Sequence, residues 1–302
     1  MSRARYSPRA LALDALVLAV VAAGAFWLAR RAGGGLVYRW NWAVIPQFLA
    51  YAGADGSWHA GRLLTGLAAT IRLSLWSGLL ALVLGTGAGL MRVSPRLLWR
   101  LCGGAYVNSV RNAPTIVLIF LFSYFLGGPL IAALGLDAAL ARLPLGGLGE
   151  ALLGPAGQLP AFLTAIATLG LIEGAYMAEI VRAGVAGIAS GQWDAASALG
   201  FSRPRTLAHV ILPQAFRHML PAMAGQFVSL VKDSAIVSVI SIPELTFQAQ
   251  ELVSATYRSF EVWTLVLALY LALNLPCSMA ARRLELRLAR ADRCGGAHAC
   301  RH

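Results

Sequence analysis

DAASALGFSRPRTLAHVILP, Asp194–Pro213, lies between long apolar runs, and its reading decides what kind of chain this is. Ser190 stands where it can cap a first short helix, Gly200 can take the left-handed conformation that ends it, and Phe201 can fold back on it. Ser202 can open a second helix, Pro204 fits its first turn, and Pro213 is expected to halt it. Ala195, Ala196 and Ala198 leave this helix–turn–helix knob with a thin surface that suits a groove in another protein. An amphipathic connector lying on a membrane is the alternative.

The flanking runs set the class. The chain has 302 residues, of which 58% are hydrophobic and 13% charged, with a mean hydropathy of +0.68, too apolar for an ordinary soluble domain. Uncharged stretches at Ala15–Ala29, Leu73–Met91, Ala113–Leu136 and Val262–Ala281 have the length of a bilayer-crossing helix. Leu159–Arg182 and His218–Pro243 also reach that length but carry Glu173, Glu179, Lys232 and Asp233, and intramembrane charge points to function. The expected fold is therefore an all-α membrane protein of about six transmembrane helices. A Gly/Pro-rich loop separates the third and fourth spans between Gly127 and Pro160, with a short helix expected at Asp137–Leu143. The organisation predicted is a first span with an outer segment over 1–59, a transmembrane domain over 60–281, and a basic tail over 282–302.

Arginine placement orients the spans, because basic residues near span ends stay on the cytoplasmic side. With both termini inside, seventeen arginines fall on the cytoplasmic side and five outside, among them Arg31, Arg62 and Arg142. The knob then faces the cytosol. The net charge of +12 is spread over span edges without an aromatic-interleaved basic surface, which argues against nucleic acid as partner. A cleaved secretory signal in place of the first span would leave the other spans oriented as they are.

Asp194-Ala195-Ala196, Gly200 and Val210-Ile211-Leu212-Pro213 resemble the cytoplasmic signature of permease subunits of binding-protein-dependent ABC importers, with the spacing kept throughout. The stretches 66–92, 174–202 and 225–245 are similar to the polar amino acid branch, and the likeness covers about 60–281. Departures include Arg111-Asn112-Ala113-Pro114, a long 127–160 loop, and the acidic Glu173 before Gly174-Ala175-Tyr176. The resemblance implies a type I importer permease fold of a bacterial inner membrane. It also implies a coupling helix for a cytoplasmic ATPase dimer, an extracytoplasmic solute-binding protein, and a second permease copy or paralogue. ATP and Mg would belong to the ATPase; this chain has no GxxxxGK[ST] loop to wrap phosphates, and no cofactor, catalytic group or metal is expected in it. Coupling falls to Gly191, Asp194, Ala195, Ala196, Gly200, Leu212 and Pro213.

Pathway candidates are Glu173, Tyr176, Gln226, Ser229, Lys232 and Asp233. At about 1.5 Å per residue, Lys232 lies roughly 16 Å and Glu173 roughly 21 Å from the outer edge, so the two can meet. An ion pair fixing helix register and a contact to a zwitterionic amino acid both remain open, as does simple exposure to water. Glu179 and Arg182 sit lower and fit an anchoring role. Cys294, His298, Cys300 and His302 have poor spacing for zinc. Other small amines or carboxylates remain as substrates; a channel or secondary carrier would not need the knob, and an intramembrane enzyme would need more polar groups than these.

Overall fold

A computed structural model describes residues 8–35, 38, 40–54, 56–135, 139 and 146–299. The short helix expected at Asp137–Leu143, apart from residue 139, and the final tail residues Cys300 and His302 lie outside the described residues. The chain divides into two units, 1–42 and 43–302. Among the described residues the first holds α1 (Pro8–Gly35), which carries the apolar stretch of the first expected span.

The second unit starts earlier than the boundary expected at 60. Helix α2 (Ile45–Leu49) and the antiparallel pair β1 (Ala50–Ala52) and β2 (Trp58–Ala60) belong to it, because Phe48 is buried with Leu63, Leu245, Leu252 and Val262. Helix α3 (Arg62–Arg92) follows; it begins well before Leu73 and stops just short of Pro95. Next come α4 (Leu97–Asn112) and α5 (Thr115–Phe120), bent by 115° to one another. The bend has a local cause: Ala113 precedes Pro114, cannot stay helical, and is extended at φ −97°, ψ 147°. The expected third span thus starts inside a broken helix and continues through a π-helical stretch at Leu121–Gly127 into α6 (Gly128–Ala133).

Beyond the loop, α7 (Leu148–Leu153) leads to α8 (Leu159–Ala186), the most enclosed of the long apolar helices. Helices α3 and α8 run parallel and very close. A Cβ added at Gly85 or Gly89 would come within 2.5 Å and 2.6 Å of the Cβ atoms of Met177 and Val181, so this Gly-x-x-x-Gly pair is what lets the backbones approach. Short helices α9 (Ser190–Ala198) and α10 (Arg203–Thr206) form the knob. Then come α11 (Leu212–Asp233), α12 (Leu245–Thr256) and α13 (Ser259–Ala299), the last running without a break past the expected boundary at 281. By length and composition four helices of the described residues can cross a membrane, or five if the bent α4–α5 pair is one span.

Pro213 does not halt the second knob helix. The chain remains helical from Arg203 to Ile240, because Leu207–Ile211 widens into a π-helix and Pro213 falls in the first turn of α11. Proline clashes with the carbonyl four residues earlier and lacks an N–H; a widened turn just before it relieves both demands.

Candidate functional site

Two places hold the residues singled out by the sequence. In the knob, Gly200 sits at φ +82°, its N–H donates to the Ser197 carbonyl (2.9 Å), and the Phe201 N–H reaches back to the Ala196 carbonyl (3.1 Å). This pair of bonds closes α9 by the glycine route. The caps differ from expectation: Ala189, not Ser190, is the residue before α9, and Ser202 precedes α10 without a side-chain capping bond. Ala196 faces inward, 3% exposed, while Gly191, Asp194, Ala195, Ala198 and Leu199 are exposed. The outer face is therefore lined by Asp194 and Ala195, and Ala196 serves the knob's own packing. Gln214 Nε2 donates to Gln192 Oε1 (3.1 Å) and to the Val210 carbonyl (2.8 Å), tying α9 to the start of α11. Trp193 and Leu212 pack with Val185, Ile188 and Ile211, which fixes the knob to the end of α8.

The second place is a cavity of about 290 Å³ between α8 and α11, lined by Thr115, Glu173, Tyr176, Gln226, Ser229, Asp233 and Ile236. Glu173 and Tyr176 are one turn apart on α8; Gln226, Ser229 and Asp233 follow the i, i+3, i+7 spacing of one face of α11. Glu173 is 2% exposed, and its Oε2 accepts from Gln226 Nε2 at 2.7 Å. Five of the six pathway candidates come together here. Lys232 does not: it is exposed on another face of α11 and forms no ion pair with Glu173. The expected Glu173–Lys232 pair is thus replaced by Glu173–Gln226. Equal depth brought the two charges level, but a helix turns about 100° per residue, and Asp233 takes the cavity face that its neighbour would need.

One turn beyond Tyr176, Glu179 Oε1 accepts from Arg182 Nε (2.9 Å) and Nη2 (2.5 Å), Oε2 accepts from Arg92, and Arg111 Nη1 lies 3.6 Å away. The Arg111 guanidinium also stacks 5.6 Å from the Tyr176 ring centre, so this cluster borders the cavity. Glu179 and Arg182 join α3, α4 and α8 at the knob end of the bundle, the anchoring position expected of them.

Sequence reasoning missed Thr115 and Ile236, since only the bend at Pro114 and the tight turns of Ser234–Ile240 bring them to the cavity. It also missed Glu244, fully buried at the other end of the bundle. Its Oε1 accepts from the Phe247 N–H (2.8 Å) and its Oε2 from Tyr270 (3.0 Å) and Thr70 (3.2 Å), joining α3, α12 and α13. An acidic residue just before an apolar helix was the available signal.

A multi-helix membrane protein with a polar cavity between two of its helices and a helical knob at one end has the build of the membrane subunit of a transport system. The chain belongs to the family of binding-protein-dependent transport system inner membrane components, whose model matches residues 77–290. It is 32% identical over 234 residues to the probable glutamine ABC transporter permease protein GlnM of Bacillus subtilis, covering 78% of this chain and 92% of that one. It is 31% identical over 235 residues to the glutamate/aspartate import permease protein GltJ of Escherichia coli, covering 78% and 89%. Among solved structures, an amino acid ABC transporter crystallised with histidines is 30% identical, with a TM-score of 0.60 over 75% of this chain and 94% of that one. The MetNI methionine ABC transporter, 20% identical with a TM-score of 0.57 over 75% of this chain and 96% of that one, shares the fold.

Proposed function

We propose that this chain is the membrane pathway of an ATP-driven importer of polar amino acids, with the α8–α11 cavity as its intramembrane substrate site. The observation that carries the reading is the gathering of Glu173, Tyr176, Gln226, Ser229 and Asp233 around one cavity, on the two helices that flank the knob. The knob, residues 190–211, docks into a cytoplasmic ATPase through Gly191, Asp194 and Ala195 on its outer face. Gly200 sets the angle, and Leu212 and Pro213 pass the motion to α11. A solute-binding protein delivers the amino acid at the opposite end, and a second permease, a copy or a paralogue, completes the pathway. Both termini lie in the cytoplasm, as the arginine distribution favours. ATP and Mg act in the ATPase, and alternating access follows from its closure.

Support for an amino acid as cargo comes from the permeases named above together with a cavity of single-solute size, rich in groups that bind ammonium and carboxylate. The test is uptake by vesicles containing this chain, its ATPase and its binding protein, with ATP supplied on one side. Uptake of at least one amino acid is expected only with ATP on the knob side. Gly200→Val, which forces a β-branched residue into the left-handed region, is expected to cut uptake about tenfold while assembly with the ATPase survives. Full uptake by this variant would remove the knob from the coupling path, and no ATP-dependent amino acid uptake in the wild type would remove the importer reading.

A further inference from the structure

The cavity walls are unequal in charge. Two carboxylates, Glu173 and Asp233, line it, together with the hydroxyl-bearing Thr115, Tyr176 and Ser229 and the amide of Gln226. No cation is among the lining residues. Lys232 is turned away and exposed, and Arg111 reaches the site only at its border, over the Tyr176 ring and toward Glu179. The acidic pair is not the whole observation. Glu173 is 2% exposed and lines the cavity; its Oε2 is held by Gln226, and its Oε1 has no protein hydrogen-bond donor among the described residues. Asp233, half-buried, has no protein hydrogen-bond donor among the described residues. Inside a bundle, a carboxylate oxygen without a donor is costly, and a ligand that brings its own positive charge removes that cost.

We propose that the cavity selects amino acids with a cationic side chain, of the lysine, ornithine or arginine type, over neutral and acidic ones. This deepens the substrate-site reading above and rests on it. Such an amino acid carries two positive groups and one carboxylate. Its two cations match Glu173 Oε1 and the Asp233 carboxylate, one on each wall, and its carboxylate is left for the hydroxyls of Thr115 and Ser229 and for Arg111 at the border. A neutral amino acid leaves one wall carboxylate unmatched. An acidic one adds a further carboxylate to a space already holding two, and like charges brought together in a desolvated site are strongly disfavoured.

The experiment is direct binding of radiolabelled L-arginine, L-glutamine and L-glutamate to the ATP-free permease–ATPase complex in lipid nanodiscs, so that the binding protein's own preference does not enter. Arginine is expected to bind about tenfold or more tighter than glutamine, and glutamate weakest. Glu173→Gln and Asp233→Asn are each expected to lower the arginine-to-glutamine affinity ratio by about tenfold. Glutamine or glutamate binding as tightly as arginine in the wild type, or folded variants that keep the wild-type ratio, would overturn the selection. The wild-type ranking decides the matter even where a variant fails to assemble. Uptake in vesicles separates the two levels: ATP-driven uptake of glutamine or glutamate with no preference for arginine in binding overturns the selectivity and leaves the importer, whereas no amino acid uptake at all overturns the importer itself.

Discussion

In the knob of residues 190–211 the backbone holds the shape, whereas around the cavity the side chains hold it. Gly200 at φ +82° and two backbone hydrogen bonds close the turn, and most of the side chains of α9 are exposed. At the cavity α8 and α11 supply regular helical walls, the break at Pro114 and the tight turns of Ser234–Ile240 add Thr115 and Ile236, and what is particular to the place lies in Glu173, Gln226 and Asp233. The difference fits their proposed tasks. A part that docks into another protein needs a fixed outline and a replaceable skin. A part that touches a solute needs fixed chemistry, and polar groups among apolar helices are held only by the partners they find.

Ala196 is the sharpest way to break the knob, because it is the one residue of α9 that is buried. Ala196→Asp places a carboxylate without a partner at that position, at a cost of about 3 kcal/mol or more. Ala195→Asp adds the same charge to the exposed face. Both changes would weaken docking, but only the first is expected to lower the melting temperature of the purified chain. Equal melting temperatures for the two would mean that α9 does not pack as described, and that the knob is as insensitive inside as outside.

Next in size is the side-chain contact that orients the cavity. Gln226→Leu keeps the volume nearly constant and removes the one hydrogen-bond donor to Glu173 among the described residues, an expected loss of about 1–3 kcal/mol in denaturant unfolding of the detergent-solubilised protein. Gln226→Glu tests the sense of the bond: a second carboxylate facing Glu173 is expected to cost at least as much near neutral pH, and less when the pH is lowered enough to protonate one of the two. A pH-independent loss for Gln226→Glu would show that the two side chains do not meet.

The knob was legible because its instructions are local. Gly200, the residues around it and the spacing to Pro213 specify a helix, a left-handed turn and a helix without reference to any distant part. Ser190 was misread as a cap by a single residue, and Pro213 as a stop because its effect depends on the turn before it, which widens here at Leu207–Ile211. The spans were legible from composition, but the 115° break at Ala113–Pro114 fell at what looked like the start of a span. Membership of the cavity was legible in part. Gln226, Ser229 and Asp233 share a helical face that could be read from spacing alone, whereas Thr115 arrives only through the break.

The pairing of Glu173 was not legible from depth and sign. Those two criteria selected Lys232, and rotation about the α11 axis excludes it, since Asp233 occupies the cavity face and Lys232 is exposed. A double-mutant cycle on Glu173→Gln and Lys232→Met turns this into the smallest expected effect. Two residues that make no contact with each other are expected to be nearly additive in unfolding free energy, with a coupling term within about 0.5 kcal/mol of zero. Glu173→Gln acts through Gln226, and Lys232→Met changes an exposed position of the isolated chain; only Asp233, which feels the charge of both, links them, and that link is indirect. A double variant markedly more stable than the sum of the single losses would mean that the two charges meet, either within one chain by a rotation of α11 or across to a second permease. Repeating the cycle at a protein concentration that keeps the chain monomeric separates those two cases, because only a contact between chains disappears on dilution.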